Sequence, residues 1–126
     1  MTGFGPYYGD ACSDLEDFER SLDLLTGVDA QYWLTFHHKG LIESRERFLE
    51  MLAEFKAVIG RREQRLLDFM SQPRTLEELV EYRIIYRPGT GGSMVDNIEK
   101  RSIAMHLKRL QREGVVSVQG DTYFKV

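Results

Sequence analysis

The stretch that decides the fold of this chain is residues 100–126, which read KRSIAMHLKRLQREGVVSVQGDTYFKV. Apolar residues recur at helical spacing in and just before its first half, at Ile98, Ile103, Leu107 and Leu110. Gly114 is placed to end this helix. The residues after it are largely β-branched or aromatic on both sides of Gly120, as in two strands joined by a tight turn. The stretch therefore predicts a helix over about 94–113 followed by a β-hairpin.

Two further helices are predicted before it. Residues 44–70 carry an apolar stripe at helical spacing that is interrupted near Gly60, so they form either one long helix with a weak point or two helices that meet there. Thr75 and Glu78 have the spacing of a capping box, which indicates the start of a short helix. The order of helices and hairpin over residues 61–126 predicts a winged helix-turn-helix domain, with a longer connection than usual at residues 86–93.

The first forty residues contain fewer elements. Residues 1–12 show no period and are interpreted as a loop, whereas Ser13 and Glu16 form a capping box for a helix that ends at Gly27. Residues 31–36, QYWLTF, predict a buried strand. One helix and one strand are too little to close a core of their own, so we expect their apolar faces to lack packing partners. Most of the stability is then expected in residues 61–126.

Composition bounds the class of protein. The 126 residues, of which 42% are hydrophobic, suit a small globular protein. No apolar run is long enough to cross a membrane and no signal-peptide pattern is present, so we predict a soluble, cytoplasmic protein. The net charge of −3 points to no partner by itself. Its distribution is uneven, because residues 1–40 are mainly acidic in their charge and residues 100–126 mainly basic.

Several runs together resemble a known family. The run GFGPYYGDACSDLEDFERSL and the later TFHHKGLI resemble the final βα part of the metallo-β-lactamase fold. The runs RREQRLLDFM, PRTLEELV, YRPG and KRSIAMHLKRLQREGVV resemble the winged-helix tail that many members of one hydrolase branch of that family carry. The resemblance implies an α+β chain. It places a partial βα end of the metallo-β-lactamase sandwich in residues 1–43, a connecting helix in 44–60 and a winged-helix domain in 61–126.

The resemblance also implies one metal ligand. Members of this family hold two metal ions with a His-x-His-x-Asp-His motif, a further His, a bridging Asp and a final His just after a strand. Only the final position is matched here, by His38, or by His37 if the turn is one residue shorter. Met1 falls just after the place of the bridging Asp, so we expect a truncated chain. We expect the chain to self-associate as a dimer or larger assembly, or to pair with a missing N-terminal half.

A hydrolytic zinc site needs about three protein ligands for each metal. The chain has three histidines and one cysteine, and His106 lies on a different predicted element from the other two histidines. In a full-length parent, zinc-bound hydroxide would attack an ester, a thioester, a lactone or a phosphodiester. We expect this chain alone to be inactive and to bind no zinc tightly.

A different class of function is suggested by the basic third helix. Its candidate nucleic-acid contacts are Arg101, Lys108, Arg109 and Arg112. These positions spread around the helix, and side chains suited to reading bases are scarce. A packing or substrate-positioning module is therefore favoured over a module that binds nucleic acid.

Overall fold

A computed structural model describes residues 4–35 and 39–126 of the chain, which form a mixed α/β fold. Its elements are α1 (Leu15–Leu25), β1 (Trp33–Thr35), β2 (Gly40–Ile42), α2 (Arg45–Phe69), β3 (Arg74–Thr75), α3 (Leu76–Tyr82), α4 (Ser93–Arg112), β4 (Val116–Gln119) and β5 (Thr122–Lys125). In these described ranges, no helix combines the length and the apolar character needed to span a bilayer.

Helix α1 begins one residue later than the sequence predicts. Its N-cap is Asp14, whose carboxylate accepts a hydrogen bond of 2.9 Å from the backbone N–H of Asp17. The predicted cap at Ser13 is therefore wrong. Aspartate caps a helix as well as serine does, and its charge also favours the positive end of the helix dipole. The helix ends with Thr26 as its C-cap, rather than at Gly27.

The strand predicted at residues 31–36 begins two residues later than expected, at Trp33, and it belongs to an antiparallel pair. Strand β1 pairs antiparallel with β2, which the sequence did not predict. Trp33 lies opposite Ile42, and both are buried. The Trp33 ring stacks on Phe48 of α2, with 4.7 Å between the ring centroids. The hairpin is thereby fixed to the first turns of α2.

Helix α2 runs without a break from Arg45 to Phe69, so the alternative of two helices meeting near Gly60 is wrong. Ser44 caps it by accepting a hydrogen bond from the backbone N–H of Arg47. Close to Gly60, Ile59 and Arg62 are buried, at 0% and 3% exposure, so this part of the helix is packed against the rest of the chain. The predicted division at residue 60 thus falls inside one continuous helix.

The C-terminal elements follow the predicted order, with one addition. The capping box at Thr75 is present, and the hairpin of β4 and β5 turns at Gly120, which has a φ of 62°. The addition is β3, which pairs with β5 and completes a three-stranded antiparallel sheet in the order β3-β5-β4. Helix α4 is followed by Gly114 with a φ of 73°, in the left-handed region that glycine adopts without strain.

Helix α2 contributes side chains to two hydrophobic clusters. The first consists of Tyr8, Leu15, Leu22, Trp33, Ile42, Phe48, Leu52 and Ile59. The second consists of Leu66, Met70, Leu79, Ile84, Ile103, Leu107, Leu110 and Val116. Leu15 is 2% exposed and Leu107 is 3% exposed. The expectation that α1 lacks packing partners is therefore wrong, because α1 packs against both α2 and α4.

Candidate functional site

A buried chain of hydrogen bonds joins the N-terminal loop to α2 and α4. The hydroxyl of Tyr8 lies 2.9 Å from Nε2 of His106, and Nδ1 of His106 lies 2.8 Å from a carboxylate oxygen of Glu63. Tyr8 and His106 are both 0% exposed. The three residues come from three separate parts of the chain, so the bonds tie together segments that are distant in sequence.

The protonation state of each of these three side chains follows from its hydrogen-bond partners and its burial. The Glu63 carboxylate can only accept, so Nδ1 of His106 carries the proton and Nε2 accepts from the Tyr8 hydroxyl. Burial lowers the pKa of His106 and outweighs the opposing hydrogen bond to Glu63. Burial raises the pKa of Tyr8, against the influence of Arg62. Burial also acts to raise the pKa of Glu63, but hydrogen bonds from His106 and Arg109 outweigh it and the pKa is lowered. At neutral pH Glu63 is thus ionised, whereas His106 and Tyr8 are uncharged.

Arg109 connects this chain of hydrogen bonds to α1. Its guanidinium donates to Glu63 over 2.7 Å and 3.1 Å, and also to the carboxylate of Glu19. One turn further along α4, Arg112 pairs with Glu16 at the surface. Acidic side chains of α1 are therefore paired with basic side chains of α4. We call Tyr8, Glu19, Glu63, His106 and Arg109 the buried network.

The backbone of the N-terminal loop is held by two more arginines. Arg62, 3% exposed, donates to the carbonyl oxygens of Pro6 over 2.6 Å and Phe4 over 2.9 Å. Arg101 donates to the carbonyl oxygen of Gly9 over 2.6 Å. The loop lies directly against α4 at Gly9. Only glycine fits there, because a Cβ atom would lie 2.5 Å from a methyl carbon of Ile98. The loop is therefore fixed by side chains of α2 and α4 that carry positive charge.

The order Tyr–His–Glu has the form of a nucleophile, a base and an orienting acid. A catalytic role would require a substrate atom to reach the Tyr8 oxygen. Both Tyr8 and His106 are fully buried, so a substrate cannot reach the Tyr8 oxygen. The arrangement instead stabilises the junction between the N-terminal segment and the helices.

A second buried carboxylate fixes the long connection before α4. Glu99 is 0% exposed and accepts hydrogen bonds from the backbone N–H groups of Ile84, Ile85 and Tyr86, over 2.7 to 3.1 Å. Arg83 bonds the carbonyl of Thr90 in the same connection. Sequence reasoning missed this role. The available signal was an acidic residue on the apolar face of α4.

The predicted metal ligand, His38 or its alternative His37, lies outside the described residues. Across residues 4–35 and 39–126, no group of three or more His, Cys, Asp or Glu side chains could hold a metal ion. Both ring nitrogens of His106 are engaged within the buried network. The described donors do not fit a zinc site, so no catalytic step through zinc follows from them.

The structure uses most of the predicted nucleic-acid contacts for internal bonds. Arg101 holds the N-terminal loop, while Arg109 and Arg112 pair with acidic residues of α1. Lys108 is exposed. These contacts fit the packing alternative, and binding to nucleic acid stays a prediction.

Comparison with solved structures indicates that the chain has a metallo-β-lactamase-like fold. The chain is similar to the crystal structure of a metallo-beta-lactamase family protein from Thermus thermophilus, with a TM-score of 0.65 and 28% sequence identity. The match covers 89% of this chain and 33% of that one, so the chain spans about a third of that protein's length. No protein-family model matches the chain, and no curated protein matches it.

Proposed function

We propose that this chain is the C-terminal part of a metallo-β-lactamase-family, metal-dependent hydrolase, and that it does not turn over substrate by itself. The observation that carries the proposal is the likeness to a family member over 89% of this chain but 33% of the other. A segment that matches a third of a larger enzyme is expected to supply a part of its fold and of its site.

In this proposal residues 61–126 form a winged-helix unit. The element order from the second half of α2 to β5, and the sheet order β3-β5-β4, support this assignment. The unit serves to hold the N-terminal loop. Arg62 and Arg101 fix the loop's carbonyl oxygens, and His106 fixes Tyr8. The loop is thereby kept in one position relative to the rest of the hydrolase.

Zinc belongs to the full-length hydrolase in this proposal. His38, with His37 as the alternative, would be the ligand that this chain contributes. When bound, the metal supplies an activated water for hydrolysis of an ester, a thioester, a lactone or a phosphodiester. We do not propose nucleic-acid binding as a second function, because Arg101, Arg109 and Arg112 are bonded to the N-terminal segment.

A chimera tests the proposal. This chain replaces the matched third of the Thermus thermophilus protein, and zinc content and hydrolysis of a panel of the four substrate classes are measured beside the unaltered protein. We expect the chimera to retain zinc and any hydrolysis that the unaltered protein shows, whereas the 126-residue chain alone shows none. His38→Ala in the chimera should lower the zinc content and His37→Ala should leave it unchanged, whereas the reverse result would assign the ligand to the alternative, His37. Turnover by the chain alone, or a zinc content that neither substitution changes, contradicts the proposal.

A further inference from the structure

The β1–β2 hairpin is apolar on both faces, and within the described residues only one face is covered. The pair Trp33 and Ile42 is buried against α2. Side chains alternate between the faces of a strand, so the next cross-strand pair, Leu34 and Leu41, points the other way. These two leucines are 84% and 50% exposed. The outer face of the hairpin therefore presents a leucine pair to solvent.

An open groove of about 490 Å³ lies beside this leucine pair, between β2 and the start of α2. It is lined by the apolar side chains Leu41, Ile42 and Met51, by Ser44, and by the charged side chains Lys39, Glu43 and Arg47. These charged residues are exposed, and we call them its rim. The hairpin thus carries a protruding leucine, Leu34, next to a groove that combines apolar side chains with a rim of both charges.

We propose that a second copy of this chain covers this face, with Leu34 of each copy seated in the groove of the other. Leu34 is the direct cross-strand partner of Leu41, which lines the groove, and such partners have Cβ atoms about 4.5–5.5 Å apart. The protruding side chain and the groove are therefore neighbours on one surface. A two-fold axis pairs a surface with itself, so it closes both contacts at once.

The charges on the rim suit the same symmetry. In a two-fold interface a residue of one copy faces a different residue of the other copy. Lys39 can then face Glu43 across the interface, in both directions, whereas Arg47 is paired with Glu50 of its own helix. A rim of a single sign would repel its own copy, whereas this mixed rim complements it. The inference concerns the 126-residue chain and does not depend on the proposed hydrolase function.

Sedimentation equilibrium of the 126-residue chain, from micromolar to near-millimolar concentration, tests the proposal. We expect a dimer whose dissociation constant rises at least about tenfold in Leu34→Asp, because an apolar side chain at the centre of the interface becomes charged. The matched control is Met94→Asp, an equally drastic change at a residue of α4 that is 69% exposed. It should leave the dimer unchanged. Far-ultraviolet circular dichroism checks that both variants are folded.

A charge exchange tests the same interface without touching the leucines. Glu43→Lys should weaken the dimer, and the double variant Lys39→Glu with Glu43→Lys should restore it. A wild-type chain that stays monomeric overturns the proposal and indicates that a different polypeptide covers this face. A dimer that Leu34→Asp leaves intact, or that Glu43→Lys leaves equally tight, also overturns it.

Discussion

The hydroxyl of Tyr8 lies 2.9 Å from Nε2 of His106, although 98 residues separate the two in the sequence. This contact joins the N-terminal loop to the middle of α4. Through Glu63 the contact is linked to Arg109, which forms ion pairs with both Glu19 and Glu63. The N-terminal segment is therefore part of the same folded unit as the C-terminal helices.

Tyr8→Phe removes one partner of the contact and leaves Nε2 of His106 buried without a donor. We expect the free energy of unfolding to fall by about 1–3 kcal/mol, the usual cost of an unsatisfied buried polar group. Urea denaturation measures it. Tyr7→Phe is the control, because its hydroxyl bonds the exposed Asp10 and its loss should cost less than about 0.5 kcal/mol. Equal effects of the two substitutions would show that the Tyr8–His106 bond is not a special contact.

The stability of the chain should fall in mild acid. Burial lowers the pKa of His106 from its ordinary value of 6.5, so the unfolded chain binds more protons than the folded chain below about pH 6.5. The stabilisation is therefore complete above that pH and is lost as the pH falls toward the lowered pKa of the folded state. The lowered pKa of Glu63 acts in the same direction below its ordinary value of 4.5.

Urea denaturation at about pH 7.5 and about pH 5.5 measures this dependence. His106→Gln removes the titrating group and should flatten the slope between these values, although the variant is less stable overall. A wild-type stability that stays constant or increases toward the lower pH would contradict the buried, uncharged state of His106.

Leu15→Ala and Leu107→Ala should be damaging to a similar degree. Both side chains are buried, at 2% and 3% exposure, so each truncation is expected to cost about 2–5 kcal/mol. Leu24→Ala on the exposed side of α1, at 71% exposure, should cost less than about 0.5 kcal/mol. Denaturant melting followed by circular dichroism compares the three. A much smaller cost for Leu15→Ala would mean that the N-terminal segment packs loosely, as the sequence alone had led us to expect.

Glu99→Gln should loosen the connection between α3 and α4. The carboxylate accepts three backbone hydrogen bonds, and an amide would turn an N–H₂ group toward some of these donors. We expect a loss of about 1.5–3 kcal/mol, typical of hydrogen bonds to a charged group, and faster hydrogen exchange at the amides of residues 84–86. Glu81→Gln, at an exposed position of α3, provides the comparison. Unchanged exchange at these amides would argue against the role of Glu99.

Elements with complete local signals were predictable. The capping box at Thr75, the apolar stripe of α4 and the turn at Gly120 were all read correctly from the sequence. Strands β2 and β3 were missed, because three and two residues carry no periodic signal. They form through pairing with β1 and β5. Tertiary contacts therefore determine where these two strands form.

The buried network was also hidden in the sequence. Arg109 was noticed as a basic residue, but its partners Glu19 and Glu63 lie 90 and 46 residues away. The acidic start and basic end of the chain were the one available hint. No periodic pattern specifies which acid meets which arginine, so the pairing required the structure.

The zinc content of the purified chain is the measurement that decides whether this chain is one part of a larger metal-dependent hydrolase. After dialysis against a chelator and then against metal-free buffer, zinc is measured for each chain by mass spectrometry. We predict a substoichiometric content and weak binding, because residues 4–35 and 39–126 provide no metal site and His38 would be a single ligand. One or two zinc ions held tightly by each chain would contradict the view that this is one part of a larger metal-dependent hydrolase.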